Sequence, residues 1–225
     1  MSVNQETYQQ IKAELEAKNV TLVAVSKTKP VENIFELYNL GQRDFGENYV
    51  QELVDKAAQL PKDIRWHFIG HLQTNKVKLI APFVQLIHGV DSLKLLKEIN
   101  KEGEKNNRVI DCLLQVHIAK EETKFGLDEQ ELSLTISQFS DLKMMNVRIC
   151  GLMGMASFTD NITIVRQEFG KLNEIFNHHA GLVTRNTKLE TLSMGMSSDY
   201  TIAVEEGSTM VRIGSLLFGE RHGKL

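Results

Sequence analysis

The chain is poor in the residues that break, staple or anchor a polypeptide. Only three prolines occur among 225 residues and no tract is of low complexity, which leaves little room for a disordered linker. Cysteine is scarce. Cys112 and Cys150 are too few for a disulfide framework, and each sits in an apolar run, DCLLQV and RICGLM, where a small reduced core residue is expected. No apolar stretch nears the roughly 18 residues needed to span a bilayer. The N-terminus, MSVNQETYQQIKAELEA, has acids and glutamines where a signal peptide needs an apolar stretch. The expected location is therefore the cytoplasm, without a membrane partner, and the acidic start argues against mitochondrial import. A basic excess is also missing: Lys and Arg total 26 against 29 Asp and Glu, a formal net charge of -3. That argues against a nucleic-acid partner, which calls for a basic stripe. A small anion held by two or three local groups stays open.

What is present is a periodic alternation. Apolar residues make up 42% of the chain and charged residues 24%, as in ordinary globular proteins, and the length suffices for one large core. Tyr8, Ile11 and Leu15 share one stripe of a helix from Glu6 to Ala17. Extended runs then follow at TLVAVS (21–26), DFGEN (44–48), RWHFIG (65–70), LIHGVD (86–91), DCLLQVHI (111–118), VRICGLMGM (147–155), TLSMGM (191–196) and MVRIGSLLFG (210–219). Helical stretches separate them: 32–40, 49–59, 73–80, 92–105, 128–139, 163–178 and 199–206, with a loop, AKEETKFG, before the fifth of these. Most of the extended runs are apolar on both faces, the mark of parallel strands covered by helices. The expected fold is α/β, a (β/α)8 TIM-type barrel with an extra N-terminal helix. The expected organisation is a single domain over 1–225, with the helix in 1–20 and the barrel in 21–219. An open doubly wound sheet is the alternative, but no GxGxxG, GxxxxGK[ST] or CxxC motif occurs.

In such a barrel, sites form where strands end at their C-termini. Lys27 directly follows TLVAVS. It is either a solvated rim lysine or an amine pointing into the mouth, where crowding would lower its pKa and make it a Schiff-base nucleophile. The last two strand ends read GMSSD and RIGS, the positions where barrels often hold phosphate. Ser197 offers a hydroxyl, and Gly214 and Ser215 offer backbone N–H groups. The SSD segment also suits the N-cap of the next helix. Arg212 shares a strand face with Gly214. It would either meet an acceptor such as a pyridine nitrogen or form an ion pair with Glu205 or Glu206. An amine beside a phosphate cradle suits an aldehyde phosphate, either pyridoxal phosphate or an aldolase substrate. His67, His88 and His117 lie on neighbouring strands and could converge, but no carboxylate stands at metal-ligand spacing, so no metal is expected. His178 and His179, adjacent on a helix, diverge.

Five stretches in order, AVSKTKP (24–30), FGENYVQE (45–52), WHFIGHLQTNK (66–76), LSMGMSSD (192–199) and GSTMVRIGSLLFG (207–219), resemble the pyridoxal phosphate homeostasis protein family. That family is similar to the N-terminal barrel of alanine racemase, and the resemblance runs from about Leu22 to Gly219. It implies pyridoxal 5′-phosphate held as a Schiff base on Lys27. It also implies Ser197 and the Gly214–Ser215 backbone on the phosphate, Arg212 at the pyridine nitrogen and Asn48 lining the ring pocket. Cys150 departs from the family, which often has arginine before GLM, and touches no implied cofactor residue.

The implied role is a carrier and buffer of the cofactor, with pyridoxal-phosphate-dependent apoenzymes as recipients, rather than an enzyme. The alternative is an amino-acid racemase-like enzyme. The chain ends six residues after the last strand motif, so the second domain that completes a racemase site is not expected, and a monomer is. An arginine at the ring nitrogen would also make the cofactor a poor electron sink. A deoxyribose-phosphate-like aldolase is a weaker option, since it has no use for Arg212.

Overall fold

Four consecutive buried residues, Leu22 to Val25, require cover on both sides of one strand. A computed structural model, describing residues 3–121, 125–142, 144–181 and 186–219, supplies that cover. The chain opens with α1 (Gln5–Ala17) and continues as β1 (Thr21–Val25), α2 (Val31–Asn39), β2 (Asp44–Glu47), α3 (Val50–Gln59) and β3 (Arg65–Phe68). Next come a 3₁₀ turn (Thr74–Lys76) running into α4 (Val77–Ile80), β4 (Leu86–Val90), α5 (Leu93–Lys105), β5 (Ile110–Gln115), α6 (Glu129–Asp141) and β6 (Val147–Met153). The chain then forms α7 (Ile162–His179), β7 (Thr187–Ser193), α8 (Tyr200–Glu205), β8 (Met210–Ile213) and α9 (Ser215–Phe218).

The strands close into a parallel barrel in chain order, with β8 returning to β1 in the register Val23 to Arg212. This is the expected (β/α)8 barrel with its extra N-terminal helix. Local chemistry starts the helices where the sequence suggests: Asn4 caps α1, Ser92 caps α5, and Asp128 with Glu131 forms a capping box on α6. Tyr8, Ile11 and Leu15 are the buried stripe of α1, and the Asn4 N–H donates to the Leu217 carbonyl beside α9.

Several boundaries differ from the sequence reading; the seventh strand, expected over 191–196, runs from Thr187 to Ser193. MVRIGSLLFG is not one strand. It ends at Ile213, and Gly214 turns the backbone so that the Leu217 and Phe218 N–H groups both donate to its carbonyl, forming α9. A continuous apolar run fits either period, and here Leu217 and Phe218 are buried from a helix. In DCLLQVHI the strand ends at Gln115; the Val116 N–H still donates to the Met153 carbonyl, and on its other side Val116 bridges to Leu127. The centre of the AKEETKFG loop and the tail 220–225 lie outside the described residues.

The barrel interior is thinly apolar. Val23, Leu86, Leu113, Met153 and Met210 form the buried apolar group inside, whereas the much larger cluster lies between strands and helices. His67, His88, Ser193 and Arg212 occupy the interior beside that small group, each at most 4% exposed. Barrel interiors are ordinarily filled by branched aliphatic residues, so this polar column needs its own account.

Candidate functional site

Lys27, Asn48, Ser197, Arg212, Gly214 and Ser215 all line one cavity of about 450 Å³ at the C-terminal mouth of the barrel. The structure thus brings together every residue expected at the site, drawn from the ends of β1, β2, β7 and β8. Ile69, Met155 and Phe158 add apolar wall.

The turn that carries Lys27 is pinned on three sides. Thr28 has φ +64, a conformation unfavourable for a β-branched residue, and its N–H donates to Glu52 Oε1 at 2.6 Å. The Ser26 hydroxyl donates to Glu47 Oε1 at 2.6 Å. Lys29 Nζ donates to the Phe218 and Gly219 carbonyls at 2.9 and 3.1 Å. Beneath the turn, the Lys56 ammonium donates to Ser26 O, Glu47 Oε1 and Glu52 Oε1, each at 2.7 Å, so its three protons meet three acceptors. Burial pushes the Glu47 carboxyl up, and Lys56 and Ser26 offset part of that push.

This support was missed in the sequence. Its signal lay within FGENYVQE, where Glu47 and Glu52 are both present and Lys56 follows Glu52 by one helical turn.

On the opposite wall, the Gly214 N–H donates to Ser197 Oγ at 3.1 Å, so the two expected phosphate-binding elements already touch. A side chain at Gly214 would press on the Val25 carbonyl, 3.2 Å from the position of its Cβ. Asp199 Oδ1 accepts the Met196 N–H at 2.5 Å and so ties down the same SSD turn. Among the described residues Asn48 Oδ1 is buried with no hydrogen-bond partner, although Asn48 lines the mouth. A buried acceptor left in this way suits a ligand that brings a donor.

Arg212 is not the ion-pair residue that the sequence left possible. Glu205 and Glu206 pair with Arg166, each at 2.5 Å. Arg212 instead donates to Ser193 Oγ at 2.7 Å and to the Gly154 carbonyl at 3.1 Å. Burial pulls its pKa down to about 10, with Asp199 opposing, so it stays cationic at neutral pH.

The histidines converge only in part. His67 Nδ1 lies 2.9 Å from His88 Nε2, whereas His117 Nε2 donates to the Glu121 carbonyl at 2.9 Å. Among the described residues no three His, Cys, Asp or Glu side chains are grouped to hold a metal ion. His178 and His179 meet edge to face at a centroid distance of 5.0 Å. Cys112 is fully buried, but Cys150 is half-buried and lines a cavity of about 390 Å³ at the other end of the barrel. In that cavity Arg65 pairs with Asp44 and Arg148 with Asp111, so its charges are already matched.

Residues 4–222 match the family model described as alanine racemase, N-terminal domain. Fold and site together therefore define a barrel of the alanine racemase N-terminal class. A pyridoxal phosphate homeostasis protein of Aquifex aeolicus is 45% identical over 201 residues, covering 89% of this chain and 86% of its own. The protein of that name in Escherichia coli K12 is 39% identical over 208 residues, covering 91% and 87%. PipY of Synechococcus elongatus, whose structure was solved with PLP bound, superposes with a TM-score of 0.86 at 35% identity, over 95% of this chain and 99% of its own. Within the class, the chain belongs to the pyridoxal phosphate homeostasis protein family. Among the described residues, no helix is long and apolar enough to cross a membrane.

The Lys56 cluster yields a test. Lys56→Met leaves Glu47 buried without its cation, and breaking a buried pair in this way costs about 3–5 kcal/mol. Adding Glu47→Gln should recover at least half of the loss, because the stranded charge is then gone. Urea unfolding of the two variants measures both quantities. Equal destabilisation in single and double variants would show that the cluster is not an ion-pair support.

Proposed function

We propose that this chain binds pyridoxal 5′-phosphate in the mouth cavity, carries and buffers it in the cytoplasm, and releases it to pyridoxal-phosphate-dependent apoenzymes. Residues 21–219 serve as the binding barrel and 1–20 as its N-terminal extension, within one domain that acts as a monomer. The observation that carries this reading is the convergence of Lys27, Arg212 and Asn48, whose Oδ1 has no partner among the described residues, on one cavity whose far wall is Ser197 and Gly214. The family relationship supports it.

Bound there, pyridoxal phosphate supplies an aldehyde that condenses with a primary amine, forming a Schiff base and releasing water. Lys27 provides that amine, and the pinned turn around it limits where the amine can reach. Ser197 with the Gly214 and Ser215 backbone holds the phosphate, and Asn48 accepts a hydrogen bond from the ring substituents. Arg212 donates to the ring nitrogen. Its fixed positive charge opposes protonation there and so suppresses carbanion chemistry. That feature favours a carrier over a racemase-like enzyme. Lys29, the other amine on the cavity wall, already donates to two carbonyls.

Borohydride reduction of the loaded protein, followed by peptide mapping, should find the pyridoxyl group on Lys27. Finding it on Lys29 or Lys76 would overturn the assignment.

A further inference from the structure

The polar column inside the barrel is an unbroken hydrogen-bond chain from the mouth to the opposite end. Arg212 on β8 donates to Ser193 Oγ on β7 at 2.7 Å. Ser193 Oγ lies 3.1 Å from His88 Nδ1 on β4, and His88 Nε2 lies 2.9 Å from His67 Nδ1 on β3. His67 Nε2 lies 3.0 Å from Asp44 Oδ1 on β2. Asp44 in turn accepts both arms of Arg65, with Nε to Oδ1 at 2.7 Å and NH2 to Oδ2. Asp44 and Arg65 line the cavity at the N-terminal end, whereas Arg212 lines the mouth.

The two ends constrain the direction of the bonds between them. A guanidinium only donates, and an ionised carboxylate only accepts. Burial pushes the Asp44 carboxyl up, but hydrogen bonds from Arg65 and His67 more than offset it and hold its pKa at about 2, so it is ionised at neutral pH. His67 must therefore present a proton on Nε2. Burial, with the positive charge of Arg212 as a lesser cause, drives the His88 pKa well down and keeps that ring neutral. When each ring carries a single proton, one arrangement remains. His67 accepts on Nδ1 from His88 Nε2–H, and His88 accepts on Nδ1 from the Ser193 hydroxyl. Ser193 accepts from Arg212. Ser193, His88 and His67 each give one hydrogen and take one along the chain.

We propose that Ser193, His88, His67 and Asp44 are positioning residues for the cofactor ring: a one-directional relay that orients the Arg212 guanidinium and couples the ring-nitrogen site to the far end of the barrel. The proposal rests on the reading of the mouth as a pyridoxal phosphate site. Two of the five Arg212 donors are committed to Ser193 and Gly154, which fixes the guanidinium plane while others remain for the cavity it lines. An aliphatic filling would leave the buried cation with only the Gly154 carbonyl of its two present acceptors.

The test is ¹⁵N NMR of the histidine rings in the full chain at about pH 8, above the ordinary imidazole range. Before loading, His67 and His88 should both be Nε2–H tautomers. A proton on Nδ1 of either ring would overturn the relay, and this reading needs no variant. On adding pyridoxal phosphate, the His67 nitrogens should shift although His67 does not line the mouth, and inorganic phosphate alone should leave them unmoved. Ser193→Ala should abolish the His67 response and weaken cofactor affinity about tenfold to a hundredfold. A visible band with an unmoved His67 in the wild-type protein would sink the relay while leaving the cofactor reading intact. No visible band on loading would instead sink the cofactor reading, and with it the ligand end of the relay, whatever the tautomers in the unloaded protein.

Discussion

A cation that cannot readily give up its proton sits 4% exposed in the interior of a closed barrel, and the neighbouring structure is organised around satisfying it. Arg212 needs acceptors because a buried charge without them would cost several kcal/mol. Two are supplied, by the Gly154 carbonyl just after β6 and by Ser193 Oγ on β7. Accepting from Arg212 leaves Ser193 a proton to place, which brings in His88, then His67, then Asp44. The thin apolar filling of the interior follows, because the polar column takes the room that branched side chains would otherwise hold.

The mouth is built on the same logic of committed groups. Ser26, Thr28 and Lys29 are each tied to a different partner, which leaves Lys27 between fixed neighbours on a turn with an unfavourable Thr28 backbone. Such strain persists only where the surroundings over-determine it. The Lys56 ammonium, joined to both Glu47 and Glu52, is the group that does so here. A turn held in this manner fixes the backbone from which the Lys27 amine reaches, which suits reversible capture of an aldehyde.

Much of this was legible in the sequence, for physical reasons. Runs such as TLVAV, buried on both faces, mark parallel strands, and strand ends in a barrel mark its mouth, so Lys27, Ser197 and Arg212 could be placed without coordinates. The end of β8 was not legible, because the consecutive apolar residues Leu216 to Phe218 fit a strand or a helix alike. The support beneath Lys27 was hidden because it joins β1, β2 and α3 through side chains whose roles depend on burial. The histidines were visible as neighbours on adjacent strands. Their union with Ser193, 105 residues from His88, depends on barrel closure and the inward face of each strand, which no local pattern encodes.

Capture of the aldehyde by Lys27, against the pinned turn and opposite Arg212, is the central claim, and one spectrum addresses it. Purified chain stripped of small molecules and titrated with pyridoxal phosphate should develop a visible absorption band that saturates at equimolar cofactor. Lys27→Ala, folded by circular dichroism, should leave the spectrum that of the unbound aldehyde. A band of undiminished strength in that variant, or none in the wild-type protein, would contradict the account.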